Sequence, residues 1–112
     1  MTGIAGSFAI DGSTYLHPDR IDWKQDGEKY WIKTLYEQPD KGERVCLARL
    51  DPGASFAMHA HDEVEHIYVL SGSFRDQNRT LRAGDYACRQ PGAPHTTETD
   101  EGAVMLLVYS RP

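Results

Sequence analysis

The chain lacks most of the features that would place it in a large functional class. No apolar run approaches the ~20 residues needed to cross a bilayer; the longest, Ala103 to Tyr109, has the length of a buried strand. There is no block of Lys and Arg, and acidic residues outnumber basic ones, 17 to 12, for a net charge of −5. That balance argues against nucleic acid or an anionic membrane as the partner. Only two cysteines occur, Cys46 and Cys88, in strand-like segments and in no CxxC spacing. They are expected to be buried free thiols in a reducing cytosol, not a disulfide or a thiolate metal site. Met1 to Ile10 has no basic n-region, so no signal peptide is expected and the chain is read as cytoplasmic. No repeat, low-complexity stretch or linker composition is found. No segment keeps a 3.6-residue apolar period over three turns, so a helical fold is not expected.

What remains is a pattern of short strands. At 112 residues, 39% of them hydrophobic, the chain suffices for one domain with one core. Residues 1–22, rich in Gly, Asp and Ser, are read as an arm, and residues 23–112 as the domain. Gln38-Pro39-Asp40-Lys41-Gly42 is a turn between a Tyr30–Tyr36 strand and an Arg44–Leu50 strand. Asp51-Pro52-Gly53 precedes a strand from Phe56 to His61, and Asp62-Glu63-Val64 turns the chain into a strand from Glu65 to Leu70. Ser71-Gly72-Ser73 and Asp76-Gln77-Asn78 read as polar breaks. Thr80–Arg82, a turn at Ala83-Gly84-Asp85, Tyr86–Gln90, a Pro91-Gly92-Ala93-Pro94 loop before His95, and a last strand Ala103–Tyr109 follow. Many short strands with frequent turns predict an all-β sandwich or barrel.

Four residues stand out chemically. His59 and His61 lie two apart on a predicted strand, which puts both rings on one face about 7 Å apart. Glu65, across a short turn, reaches the same point from the next strand if that face is the interior. His95 follows the Pro-rich loop some thirty residues later. Three imidazoles and a carboxylate suit one divalent ion: Fe(II), Ni(II), Zn(II), Cu(II) or Mn(II), with positions left for water or substrate. His66 alternates with Glu65 and is expected outside; His17 is read as a loop residue. Arg49, if it lines a barrel, is a candidate to bind a substrate carboxylate or enolate. Tyr86, with Tyr30, Trp31, Phe56 and Met58, is a candidate for the pocket wall.

The segment Gly53 to Gly72 reads Gly-x5-His-x-His-x3-Glu-x6-Gly, with Gly53, His59, His61, Glu65 and Gly72 in place. It resembles the first motif of the cupin superfamily at every defined position. Gly84, Gly92 and His95 match the second motif, with Gln90 where that motif has Pro and Thr99 where it has Asn. The resemblance implies a jelly-roll, or double-stranded β-helix, barrel with His59, His61, Glu65 and His95 holding a metal ion near one mouth, in a homodimer. A narrower resemblance runs from Trp31-Ile32-Lys33-Thr34-Leu35-Tyr36 through Leu50-x-Pro52-Gly53 and Val69-Leu70-Ser71-Gly72 to Ala83-Gly84-Asp85-Tyr86. These stretches look like the ChrR-like cupins. That group includes the metal-binding domain of ChrR-type anti-sigma factors and iron dioxygenases that cleave β-diketones and aryl hydroxyketones. The sigma-binding helical domain has no counterpart in the residues before Trp23, so anti-sigma function is not expected. The function the resemblance implies is a metal-dependent, dioxygenase-type oxidoreductase, with Fe(II) the favoured ion, acting on a small enolisable diketone or hydroxyketone. The other two are a non-oxidative isomerase or lyase on a sugar or keto acid, and a small-ligand sensor without turnover.

Overall fold

The computed structural model describes residues 7–112; the first six residues of the arm, and with them most of the segment read for a signal peptide, lie outside the described residues. In chain order the strands are β1 (Phe8–Ile10), β2 (Ser13–Tyr15), β3 (Lys24–Gly27), β4 (Tyr30–Gln38), β5 (Glu43–Leu50), β6 (Ser55–His59), β7 (Val64–Arg75), β8 (Thr80–Arg82), β9 (Tyr86–Arg89), β10 (His95–Glu98) and β11 (Ala103–Ser110). β1 and β2 form a separate hairpin within the arm. The other nine make one curled antiparallel sheet in the order β3-β4-β5-β11-β7-β10-β6, with β8 and β9 each paired to β7. The fold is all-β, one curled sheet as a jelly-roll barrel requires.

Strict alternation explains what is buried. On β5, Cys46, Ala48 and Leu50 point inward; on β7, Glu65, Ile67 and Val69; on β11, Ala103, Met105, Leu107 and Tyr109. Register stacks these side chains into rows across the sheet. Leu50 and Ala103 make one row; Ala48, Met105 and Val69 the next; then Cys46, Leu107, Ile67 and Ala87. The last row, at one end of the barrel, is polar: Arg44, Tyr109, Glu65, Arg89. An apolar core therefore passes into a polar end along the same strands, and this gradient positions the site.

Two strand expectations are corrected, and one strand was not foreseen. β7 runs straight through Ser71-Gly72-Ser73, where a break was expected. A bulge leaves Leu70 unpaired against β11, and Gly72 takes φ 71°. A Cβ at Gly72 would collide with the carbonyl oxygen of Gly102, so glycine lets the strand continue where any other residue would stop it. β6 ends at His59, not His61, because its partner β10 begins opposite at His95. Beyond the strand, Gly92 N–H donates to the His61 carbonyl (2.8 Å) and ties His61 down. The segment after the Pro-rich loop is itself a strand, β10.

Both cysteines are free, but only Cys46 is buried. Cys88 is exposed, since alternation on β9 turns it outward while Arg89 turns inward. The arm docks on the outer face of β4 and β5: Lys33 Nζ donates to the Pro18 carbonyl (2.7 Å) and lies 4.6 Å from the Trp23 ring centroid.

Candidate metal centre

The polar row closes one end of a cavity of about 250 Å³. Its floor is apolar, with Leu50, Phe56, Ile67, Phe74, Met105 and Leu107, and His59, His61, Glu65 and His95 stand at its polar end. His59 and His95 are direct cross-strand partners on β6 and β10, with ring centroids 4.3 Å apart. His61 approaches both, at 5.1 and 5.3 Å. One ring nitrogen from each of the three lies within 4.8 Å of the others. Small ring rotations bring three such nitrogens onto one ion at about 2.0–2.1 Å each.

Hydrogen bonds choose which nitrogen faces inward. The Nδ1 atoms of His59 and His95 lie 2.9 and 3.3 Å from the carbonyls of Ala57 and Ala93. A carbonyl only accepts, so each Nδ1 carries the proton and each Nε2 keeps its lone pair free. His95 is almost fully buried, and that burial holds its imidazole below the ordinary range against the opposing pull of the Ala93 carbonyl. It is therefore neutral, the form that ligates.

Glu65 stands at the edge of the triad. Its Oε2 is 3.8 Å from His61 Nε2, and its Oε1 is 3.9 Å from His95 Nε2. Tyr109 donates its hydroxyl to Oε2 at 2.5 Å, and burial, then the adjacent carboxylate, pushes that phenol far above its usual range, so it stays a donor. Oε1 faces Arg89 Nε at 3.5 Å but is buried without any hydrogen-bond partner. A buried carboxylate oxygen that accepts no hydrogen bond costs about 1–3 kcal/mol. The residues thus fit a cation: three imidazoles converge at the polar end of the cavity, and His95 Nε2 lies 3.9 Å from a buried carboxylate oxygen that accepts no hydrogen bond.

Of the residues singled out in the sequence, His59, His61, Glu65 and His95 come together. Tyr30 and Phe56 line the cavity, and burial pushes the Tyr30 phenol up to about 12. Arg49 does not line it. Alternation on β5 turns Arg49 to the outer face, where its Nε sits 3.3 Å from Asp51 Oδ1 and its guanidinium lies 5.0 Å from the rings of Trp23 and Trp31. Tyr86 and Met58 are exposed, and Trp31 faces Arg49. Tyr86 stacks outside on His66, its hydroxyl 2.6 Å from His66 Nδ1. Missed in the sequence were Arg44, Arg89 and Tyr109, all of which line the cavity. Arg44 was findable, because it shares the parity of Cys46 and Leu50, which Arg49 does not.

The family profile described as the ChrR Cupin-like domain matches residues 11–112. The chain belongs to that family. Solved structures agree on the fold. This cupin superimposes on an RmlC-like cupin from Shewanella frigidimarina with a TM-score of 0.77 at 18% identity, covering 96% of this chain and 95% of that one. A candidate acetylacetone dioxygenase from Methylibium petroleiphilum gives 0.79 at 20% identity, covering 92% and 80%. The anti-sigma ChrR of Rhodobacter sphaeroides, solved with SigE, gives 0.73 at 21%, covering 84% of this cupin and 52% of that chain. No curated protein matches the sequence. Thr99, which replaces the Asn of the second cupin motif, holds the backbone together here, donating to the Ser73 carbonyl (2.6 Å) and accepting from Gly102 N–H (2.9 Å).

Proposed function

We propose that this cupin is a metal-dependent oxidoreductase of the dioxygenase type, acting on a small enolisable diketone or hydroxyketone, with Fe(II) as the working ion and Zn, Ni or Mn as alternative occupants. The observation that carries the reading is the buried Glu65 Oε1, which accepts no hydrogen bond, beside the histidine cluster at the polar end of an otherwise apolar cavity. His59, His61, His95 and Glu65 would hold the ion. When bound, it supplies Lewis acidity toward an enolate and, as iron, redox chemistry toward O₂. The protein supplies the rest. The Ala57 and Ala93 carbonyls hold two imidazoles in the ligating tautomer. Tyr109 orients the Glu65 side chain through its hydroxyl. The floor of Phe56, Ile67, Phe74, Met105 and Leu107 takes the alkyl part of the substrate and keeps water away from it. For 2,4-pentanedione the balance is diketone plus O₂ giving acetic acid and 2-oxopropanal, both oxygen atoms ending in products.

The test is an oxygen electrode with the Fe(II), Ni(II) and Zn(II) forms against a panel of 1,3-diketones and 2-hydroxyketones. The Fe(II) form is expected to consume O₂, and the Zn(II) form to bind without turnover, since zinc has no redox chemistry. Product formed anaerobically with several metals would point to an isomerase or lyase. Binding with no product from any form would point to a sensor module. Either result removes the dioxygenase reading.

A further inference from the structure

Arg44, Tyr109, Glu65 and Arg89 form one cross-strand row over β5, β11, β7 and β9, and all four line the cavity. The two arginines that end this row are not equivalent. Arg89 is charge-paired by two carboxylates, its Nη1 3.1 Å from Asp76 Oδ2 and its Nε 3.5 Å from Glu65 Oε1, although its Nε and Nη2 make no hydrogen bond. Arg44 rests with its guanidinium carbon 4.4 Å from the Tyr109 ring centroid, and among the described residues no carboxylate pairs with it. Asp26, the other acidic residue of the lining, is exposed on β3, where water screens it. The charge of Arg44 nevertheless reaches into the cavity: burial raises the Tyr30 phenol and the Cys46 thiol, and Arg44 opposes both rises.

We propose that Arg44 anchors an anionic group of the substrate, so that the cavity selects a small oxo acid whose carboxylate sits on the Arg44 guanidinium while its enolisable carbonyls face the histidine cluster. The inference rests on the metal-dependent reading above and narrows its substrate class. A guanidinium resting over an aromatic ring keeps N–H groups free to meet a carboxylate in two-point geometry. The two acidic and two basic residues of the lining cancel, so a divalent ion leaves the cavity positive and favours an anion. A cavity of 250 Å³ has the space of about eight waters at about 30 Å³ each, which suits an acid of few carbons.

The experiment uses zinc-loaded protein, which binds without turnover, and two probes that differ in one group: 2,4-pentanedione and 2,4-dioxopentanoate. The carboxylate probe is expected to bind about 10- to 100-fold more tightly, the range of a charge-assisted hydrogen-bonded pair. Arg44→Met, which keeps apolar cover over the Tyr109 ring, should bring the ratio to within about threefold of unity. Arg44→Lys, which keeps the charge without the fork, should fall between, and far-ultraviolet circular dichroism checks that both variants fold. A wild-type ratio near one, a ratio unchanged by Arg44→Met, or a Lys variant indistinguishable from the Met variant overturns the proposal. Butanoate separates this claim from the enolate reading. It should shift the Arg44 side-chain Nε–Hε resonance of the zinc-loaded protein, and no shift at tens of millimolar overturns the anion site. A shift with butanoate, with neither diketone bound, retires the enolate reading and leaves Arg44 as an anion site.

Discussion

His61 and His66 lie close in sequence and on opposite sides of the barrel wall. His61 faces the carboxylate of Glu65 and the ring of His95 inside; His66 meets the Tyr86 hydroxyl outside. Removing a ligand takes away a bond to the ion, whereas removing an outer-face imidazole takes away one surface hydrogen bond. His61→Ala is expected to weaken metal affinity by more than the 10- to 100-fold typical of lost ligand-supporting contacts, and His66→Ala to leave it within about threefold. Metal analysis after equilibrium dialysis, with competition against a chelator, measures both. Equal losses would mean that the ligand set is wrong at His61.

At the scale of elements, the turn joining β7 to β8 carries a charge that reaches the site. Asp76 Oδ1 accepts from the N–H groups of Asn78 (2.8 Å) and Arg79 (3.0 Å), and Oδ2 meets Arg89. Burial alone would raise this carboxyl, but the Arg79 and Asn78 N–H groups and the Arg89 guanidinium outweigh it and hold it below the ordinary range. A folded-state pKa below the unfolded value, about 3.9, means that the stabilisation is complete above that pH and is lost as pH falls through the lower folded value. Asp76→Asn should therefore cost about 1–3 kcal/mol at pH 7, with the gap to wild type closing in urea titrations as pH falls below the unfolded value of about 3.9. A gap that persists at about pH 2 would show that the charge is not its source. The turn also marks the limit of what sequence reveals. Asp76-Gln77-Asn78 is legible as a turn because those side chains bond their own backbone, and His59, His61, Glu65 and His95 are legible because period-2 alternation and motif spacing put them on one face. The parity that exposes Arg49 and buries Arg44 was equally available on β5. By contrast, the bulge at Leu70 and the passage of β7 through Gly72 depend on the carbonyl of Gly102 in a distant segment, and no local pattern encodes that contact. The same holds for Arg89, whose role follows from β9 pairing with the start of β7.

For the whole molecule, the candidate ligands come from three places, β6 and its end, the start of β7 and the start of β10, that only the folded sheet brings together. An ion bound by that arrangement stabilises the folded state alone. At a free concentration a hundred times its dissociation constant it adds about 2.7 kcal/mol, a rise in thermal midpoint on the order of 10 °C for a domain of this size. Chelation is expected to lower the midpoint by that amount and restored metal to return it, followed by differential scanning calorimetry; no change after verified removal would contradict a site built from these residues. The order of strands has a further consequence for biosynthesis. β11, the last strand in the chain, lies between β5 and β7 and pairs with both along most of its length. While the polypeptide emerges from the ribosome, neither half of the sheet has its central partner, and the facing edges of β5 and β7 stay open until residues 103–110 arrive. Sheet closure therefore waits for β11, slow in the manner of non-local β topologies, and the interval before it is when such open edges are most exposed to misassembly.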